Sequence, residues 1–275
     1  MRQGCLLSPT LFNIYAEAIE REAIEDVDEG LKVGGQLFQT IKFADDQAVV
    51  ADTERGIQRM IDKMSESVER HGMKINGKKT KVMKIGRSPS PIHITLNGET
   101  LKQVSNFKYL GTIITEEGSC EKEISTRIAM AKQAFSIHRI LLTSRLNLHL
   151  KKRIVKTMVW SVLLYGSETW TLKTANVKRL ESFEMWVWRR MGKISWTERV
   201  SNDEVLRIVG EERMLIKTCK ERQKKWMGHI LRHDGLLKDV IEGRLEGKRP
   251  RGRKRIMVQH QRERAVSKDE RKSSR

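Results

Sequence analysis

The sequence predicts an α+β fold: antiparallel β-hairpins with packed helices first, an all-helical region after. Three observations carry this. Runs of β-branched and aromatic residues fall in the stretches 37–52 and 92–114. From Cys120 onward the apolar residues recur every three or four positions. After Leu245 no apolar period survives, so the tail 245–275 is expected to be disordered.

The elements follow in order. Ser8 can cap a helix and Pro9 suits its first position, with Leu11, Phe12, Tyr15, Ala16, Ile19 and Ala23 on one stripe. Two apolar runs, 41–44 and 48–51, then flank Asp45 and Asp46. Asp tolerates turn geometry, so a tight hairpin would carry both acids at its tip with apolar strands buried behind. Two carboxylates so close repel unless a cation lies beside them, and a hard divalent ion, Mg²⁺ above all, suits oxygen donors. An ordinary acidic turn is the alternative reading.

Thr53 can cap a helix over 53–71, with Ile57, Met60, Ile61, Met64 and Val68 facing inward and Gly72 ending it. An extended piece at 73–76 leads to Lys78, Lys79, Lys81 and Lys84, which alternate with Val82, Met83 and Ile85 as a lysine-guarded edge strand would. The connector 88–91 is followed by a hairpin turning at Asn97-Gly98 and by a strand over 107–114 broken at Gly111. Beyond Cys120, one stripe holds Ile124, Ile128, Ala131 and Phe135. A second holds Ile154, Val155, Met158, Val159 and Val162 and ends at Gly166. A third begins with Val177, Leu180 and Val187 and includes Trp186 and Trp188, with the tryptophans expected in the core. Asn202 or Asp203 can cap a short helix over 204–209, and 211–232 reads as a longer, basic one. Cys219, His229 and His233 invite a zinc reading but lack a fourth donor.

Charge narrows the partner. Lys and Arg number 54 against 35 Asp and Glu, a net +19 over 275 residues, and twelve Lys/Arg against three Asp/Glu fall in 248–275. Such an excess points to a polyanion. The basic run 248–255 could bind nucleic acid or serve as a nuclear localisation signal. No apolar run approaches the length of a membrane span and no signal peptide opens the chain, so no membrane partner is expected. Three scattered cysteines, Cys5, Cys120 and Cys219, suggest a reducing, intracellular setting.

Four motifs then stand in a telling order: RQGCLLSP from Arg2, FADD from Phe43, INGKKTK from Ile75, and FKYLG from Phe107. Together they resemble the palm of non-LTR (LINE-type) retrotransposon reverse transcriptases, in its C-terminal portion. The resemblance implies a partial palm over 1–117, a helical thumb over 118–196, a basic helical region over 197–244 and the tail. It implies RNA-templated DNA synthesis with two Mg²⁺ ions in the complete enzyme, and an RNA template, a DNA primer and dNTPs as partners. Asp45 would be the main metal ligand and Asp46 a ligand or its electrostatic support. Lys79 would lie near the nucleotide phosphates. Arg2, Gln3, Gly4, Phe43 and Ala44 would lie against template and nascent base pair; Phe107, Tyr109, Leu110 and Gly111 would grip the primer. Lys151, Lys152, Arg153, Lys156, Arg189 and Arg190 become candidate phosphate contacts of the thumb. The sequence departs from the family in one respect. The strand with a third metal-ligating Asp, and the fingers, have no equivalent ahead of Asp45, and Asp26 and Asp28 stand in the wrong order. The chain alone is therefore expected not to incorporate nucleotides. The alternative is a non-enzymatic, basic nucleic-acid-binding remnant of a decayed element.

Overall fold

In the computed structural model, residues 5–86 and 90–242 are described. Arg2, Gln3, Gly4 and the tail from 245 lie outside them, as do their expected roles. The described residues fall into two units, one within Met1–Leu31 and Gln39–Gln223, the other within Lys32–Phe38 and Lys224–Arg275.

The first half alternates helices with two-stranded pieces. Helix α1 (Ser8–Ile24) packs on α2 (Glu54–Arg70), where the Ser67 hydroxyl donates to Ile19 O at 3.0 Å. Pro9 starts α1 as expected, but Ser8 is already helical and Leu7 takes the cap position without a side-chain bond. At α2 the Thr53 hydroxyl accepts from Gly56 N–H at 3.0 Å, and Gly72, at φ 70°, ends the helix. Between the two helices in sequence come the hairpins β1 (Leu31–Val33) with β2 (Gln36–Phe38), which falls mostly in the second unit, and β3 (Thr40–Phe43) with β4 (Asp46–Val49).

After α2, β5 (Lys81–Val82) pairs in parallel with β8 (Lys102–Gln103). Between them β6 (Thr95–Leu96) and β7 (Glu99–Thr100) turn at Asn97-Gly98, both at positive φ. Val82, Ile94, Leu96 and Leu101 form a small core, against which Ile57 and Ile61 of α2 pack. The strand foreseen over 107–114 is instead a hairpin, β9 (Asn106–Tyr109) and β10 (Thr112–Thr115), folded back at Leu110-Gly111.

The second half is helical. Helices α3 (Glu121–Ile137), α4 (Arg139–Thr143), α5 (Leu148–Ile154), α6 (Trp160–Leu163), α7 (Thr174–Met191) and α8 (Asn202–Val209) enclose the largest core, built from Ile124, Phe135, Leu163, Leu180, Trp188 and their neighbours. A π-helical turn over Val155–Val159 joins α5 to α6. Its wider winding turns Met158 outward, 49% exposed, while Val155 and Val159 stay buried, so the expected second stripe holds only in part. Ser201, not Asn202 or Asp203, caps α8, accepting from Glu204 N–H at 3.2 Å. Helix α9 (Leu215–Arg232) begins later than the charge pattern suggests, because the carboxylate of Glu184 accepts the Met214 and Leu215 N–H groups at 3.0 Å each. Burial pushes that carboxyl above its usual range, and the two backbone N–H groups pull it back. Helix α10 (Leu236–Glu242) belongs to the second unit. Among the described residues, no helix is long and apolar enough to cross a membrane.

Candidate active site

The FADD hairpin turns one residue earlier than its composition suggests. Phe43 pairs with Asp46 and Ile41 with Ala48, so the two turn residues are Ala44 and Asp45, and Asp46 opens the return strand. Ala44 has φ 53°, a left-handed conformation that costs a residue bearing a Cβ about 1–2 kcal/mol. Both aspartates are exposed. The strands behind them are not buried as expected: Ile41 is 46% and Phe43 65% exposed. The reason is the pleat. Lys42 points the other way, toward α1, where it pairs with Glu17 and, at 2.5 Å, with Glu20; the Thr40 hydroxyl also donates to Glu20. The polar edge of the hairpin is thus fixed to the helix, leaving Ile41, Phe43 and Asp46 together on the outer face. The hydrogen bond and charge of Lys42 hold the Glu17 carboxyl below its usual range.

The second hairpin meets the first through one side chain. The Tyr109 hydroxyl donates to Ile41 O at 3.2 Å and lies 3.5 Å from Asp46 O. Burial, and the nearby Asp46 carboxylate, push the Tyr109 phenol up, so it stays a donor. The turn that follows, Leu110-Gly111, has φ 47° and 80°, a two-residue reversal of the kind that matches strand twist. Leucine is unusual there, and neighbouring groups from the helical half fix the turn. The Tyr165 hydroxyl donates to Leu110 O at 2.9 Å, and Arg127 Nη2 to Gly111 O at 2.5 Å. Arg127 Nε donates to Glu123 Oε1 at 2.6 Å, while Glu123 Oε2 accepts Ile113 N–H at 2.7 Å. The Arg127 guanidinium lies 4.4 Å from the centre of the Tyr165 ring. Glu123 and Arg127 are 2% and 5% exposed, so this buried ion pair spends its remaining bonding capacity on the hairpin backbone.

The structure thus joins Asp46, through its backbone, to Tyr109, Leu110 and Gly111, with Phe107 paired to Ile114 further along. Lys79 stands apart on an exposed turn, its N–H bonded to Asn76; among the described residues none of its bonds reaches Asp45 or Asp46. Three thumb candidates are engaged within the chain: Lys151 with Ser144 O, Lys152 with Gly210 O and Glu211, Lys156 with Glu211. Arg153 and Arg190 face solvent, and Arg189 bonds Val200 O. Cys219 is buried with its thiol pushed up by that burial, which disfavours a ligating thiolate. Among the described residues no three His, Cys, Asp or Glu side chains gather as a metal cluster. Sequence reasoning missed Lys42, Glu123, Arg127 and Tyr165; only the four-residue spacing of Glu123 and Arg127 offered a signal.

Comparison with known proteins fits this geometry. Residues 1–114 match the family model of the reverse transcriptase (RNA-dependent DNA polymerase). A transposon-derived protein of Caenorhabditis elegans is 26% identical over 208 residues, 74% of this chain and 75% of the relative. A retrovirus-related Pol polyprotein from a type-2 retrotransposable element of Drosophila melanogaster is 30% identical over 128 residues, 43% of this chain but 12% of its own length. The RNA-directed DNA polymerase from mobile element jockey of Drosophila funebris is 24% identical over 273 residues, 94% of this chain and 29% of the relative. The chain therefore spans three quarters of the first of these and less than a third of the other two. With both aspartates on one hairpin, the FKYLG turn seated against it and relatives drawn from mobile elements, residues 1–114 match a reverse transcriptase domain and the chain is similar to proteins of non-LTR retrotransposable elements.

Proposed function

We propose that this chain supplies the metal-holding and primer-holding elements of RNA-templated DNA synthesis. The observation that carries the reading is the junction of the two hairpins: one tyrosine hydroxyl binds the backbone beside the aspartates and continues into the turn of the FKYLG motif. Asp45 and Asp46 are adjacent, exposed and hard in donor chemistry. Mg²⁺ is commonly held by one or two carboxylates, with water and substrate phosphates completing its shell, and the pair fits that share. Asp45 is the main ligand and Asp46 a second ligand or its electrostatic support. When bound, the ions supply charge neutralisation to the attacking and leaving oxygens of nucleotidyl transfer.

The remaining roles belong to the chain. Tyr109, Leu110, Gly111 and Phe107 hold the primer end where its 3′-hydroxyl faces the aspartates. Phe43 and Ala44, with Arg2, Gln3 and Gly4, line the nascent base pair, and Lys79 neutralises the departing pyrophosphate. The RNA template, DNA primer and dNTPs are the substrates. The basic run 248–255 directs the protein to the nucleus, which its fusion to a fluorescent protein would reveal.

Fe²⁺ in place of Mg²⁺, with peroxide and ascorbate, reads the metal site without turnover. Backbone cleavage is expected in the two hairpins and is expected to disappear in the Asp45→Asn/Asp46→Asn variant. Cleavage that persists unchanged in that variant would overturn the metal assignment. Salt-sensitive nucleic-acid binding indifferent to both aspartates would then be the activity left to the chain.

A further inference from the structure

The helical half contains a groove that the palm chemistry does not use. Its volume is about 1090 Å³, and it is lined from α4, α7 and the segment 193–202. Arg139, Lys178, Arg189, Arg190, Lys193 and Arg213 line it against a single carboxylate, Glu181. Arg213 lies 3.9 Å from Glu181; among the described residues the other five form no ion pair. So dense a set of like charges around one concavity favours an anion.

Two tryptophans give the groove a second chemistry. Trp186 forms part of its lining, held by Phe183 in a stacked contact at 5.9 Å and by Phe135 edge-on at 5.2 Å. The Arg190 guanidinium lies 4.9 Å from the Trp186 ring centre. Trp196 is different. It is 82% exposed, although the other tryptophans of this half are buried or partly so. It sits on the short helical turn Trp196–Glu198, which a reciprocal Ser195/Glu198 cap fixes. On one side of its ring, at 5.2 Å, stands the Arg189 guanidinium, itself tied to Val200 O at 2.7 Å and Asn202 Oδ1 at 3.0 Å. A large apolar ring left in water, backed by a fixed cation and bordered by further cations, has the features of a stacking platform.

We propose that this groove binds single-stranded nucleic acid, one unstacked base lying on Trp196 and its flanking phosphates meeting Lys178, Arg190 and Lys193. Within a duplex the bases are stacked on one another and only the two terminal pairs offer a face to the ring, so the site favours single strands. The sugar is not read, so RNA and DNA single strands both bind. This site is separate from the aspartate hairpin and does not rest on the polymerase reading.

The test is fluorescence anisotropy of the chain with labelled oligo(U), oligo(dT) and a blunt DNA duplex. Trp196→Ala is expected to weaken both single strands about tenfold and to leave the duplex unchanged, while Trp196→Phe retains most of the affinity. Lys178→Glu and Arg190→Glu are each expected to flatten the salt dependence for single strands by about 0.7 in log–log slope. Trp196 is exposed, and circular dichroism verifies the fold of each variant. Unchanged single-strand affinity in Trp196→Ala overturns the proposal, as does an equal loss for the duplex.

Discussion

The two hairpins that meet at Tyr109 are built alike and supported differently. Each reverses through two residues, and each places a side-chain-bearing residue at positive φ, Ala44 at 53° and Leu110 at 47°. The β3–β4 hairpin is fastened to α1 by Lys42, whose side chain is 33% exposed, and its acids face water. The β9–β10 hairpin is clamped by Glu123 and Arg127, almost wholly buried, and by Tyr165. A surface pair is screened and entropically costly to hold, whereas a buried charged pair cannot be half removed without leaving an uncompensated ion. The hairpin proposed to hold a primer is therefore held rigidly, and the hairpin proposed to carry the metal ligands has latitude to adjust when phosphate and metal arrive.

The sharpest way to break this contrast is Arg127→Met. It strands the Glu123 carboxylate and should lower stability by about 3–5 kcal/mol in urea unfolding. Amide exchange should rise across β9–β10 more than across β3–β4. The double variant Glu123→Leu/Arg127→Met should recover much of the stability but not the exchange protection at Ile113, whose N–H then loses its carboxylate acceptor. Next in size is Gly111→Ala. A Cβ there would stand 3.6 Å from the Tyr165 ring, an ordinary contact, so the cost is backbone strain at φ 80°, about 1–2 kcal/mol by the same unfolding curves.

Lys42→Met tests the weaker fastening and should cost about 1 kcal/mol: the Glu17 pair is exposed, and the Thr40 hydroxyl still serves the buried Glu20 carboxylate. Its sign with pH is defined. Lys42 holds the Glu17 carboxyl below its ordinary range, so the pair's contribution is present above that range and disappears as pH falls through it. Exchange in β3–β4 should step up on acidification in the native chain and show no such step in Lys42→Met. The smallest effect should be a gain. Ala44→Gly removes the strain of φ 53° but adds backbone entropy, for a net of about 0.5 kcal/mol in thermal unfolding.

What the sequence revealed was local. Thr53 as a cap, Gly72 as a stop and the Asn97-Gly98 turn all rest on chemistry within four residues of one another, and the FADD hairpin was legible from its turn, though expected over 41–44 and 48–51 where 40–43 pairs with 46–49. The one-residue error at Asp45 has the same origin: aspartate suits a turn, and nothing local marks Ala44 as the residue that takes the strain. The exposure of Ile41 and Phe43 was illegible because hydrophobic strand composition does not say what lies opposite. Tyr165 and Leu110 are 55 positions apart, and Lys42 and Glu20 are 22 apart. Such pairs exist only once the helices have packed. Trp186 and Trp188 lie in or against the core as their stripe suggests, whereas the exposure of Trp196, held out by its capped turn, had no signal in the sequence.

The π-helical turn at Val155–Val159 sets an angular phase. Such a turn amounts to one residue inserted into an α-helix, and each residue of α-helix advances the side-chain direction by about 100°. Deleting a single residue there would restore an unbroken α winding and rotate everything after it by that amount. Trp160 and Leu163 would swing off the core axis, and Tyr165 would no longer aim at the carbonyl of Leu110. One extra residue thus serves as the angular offset between the helical half and the Leu110-Gly111 turn, and length variation in this stretch would have to come in steps that preserve it.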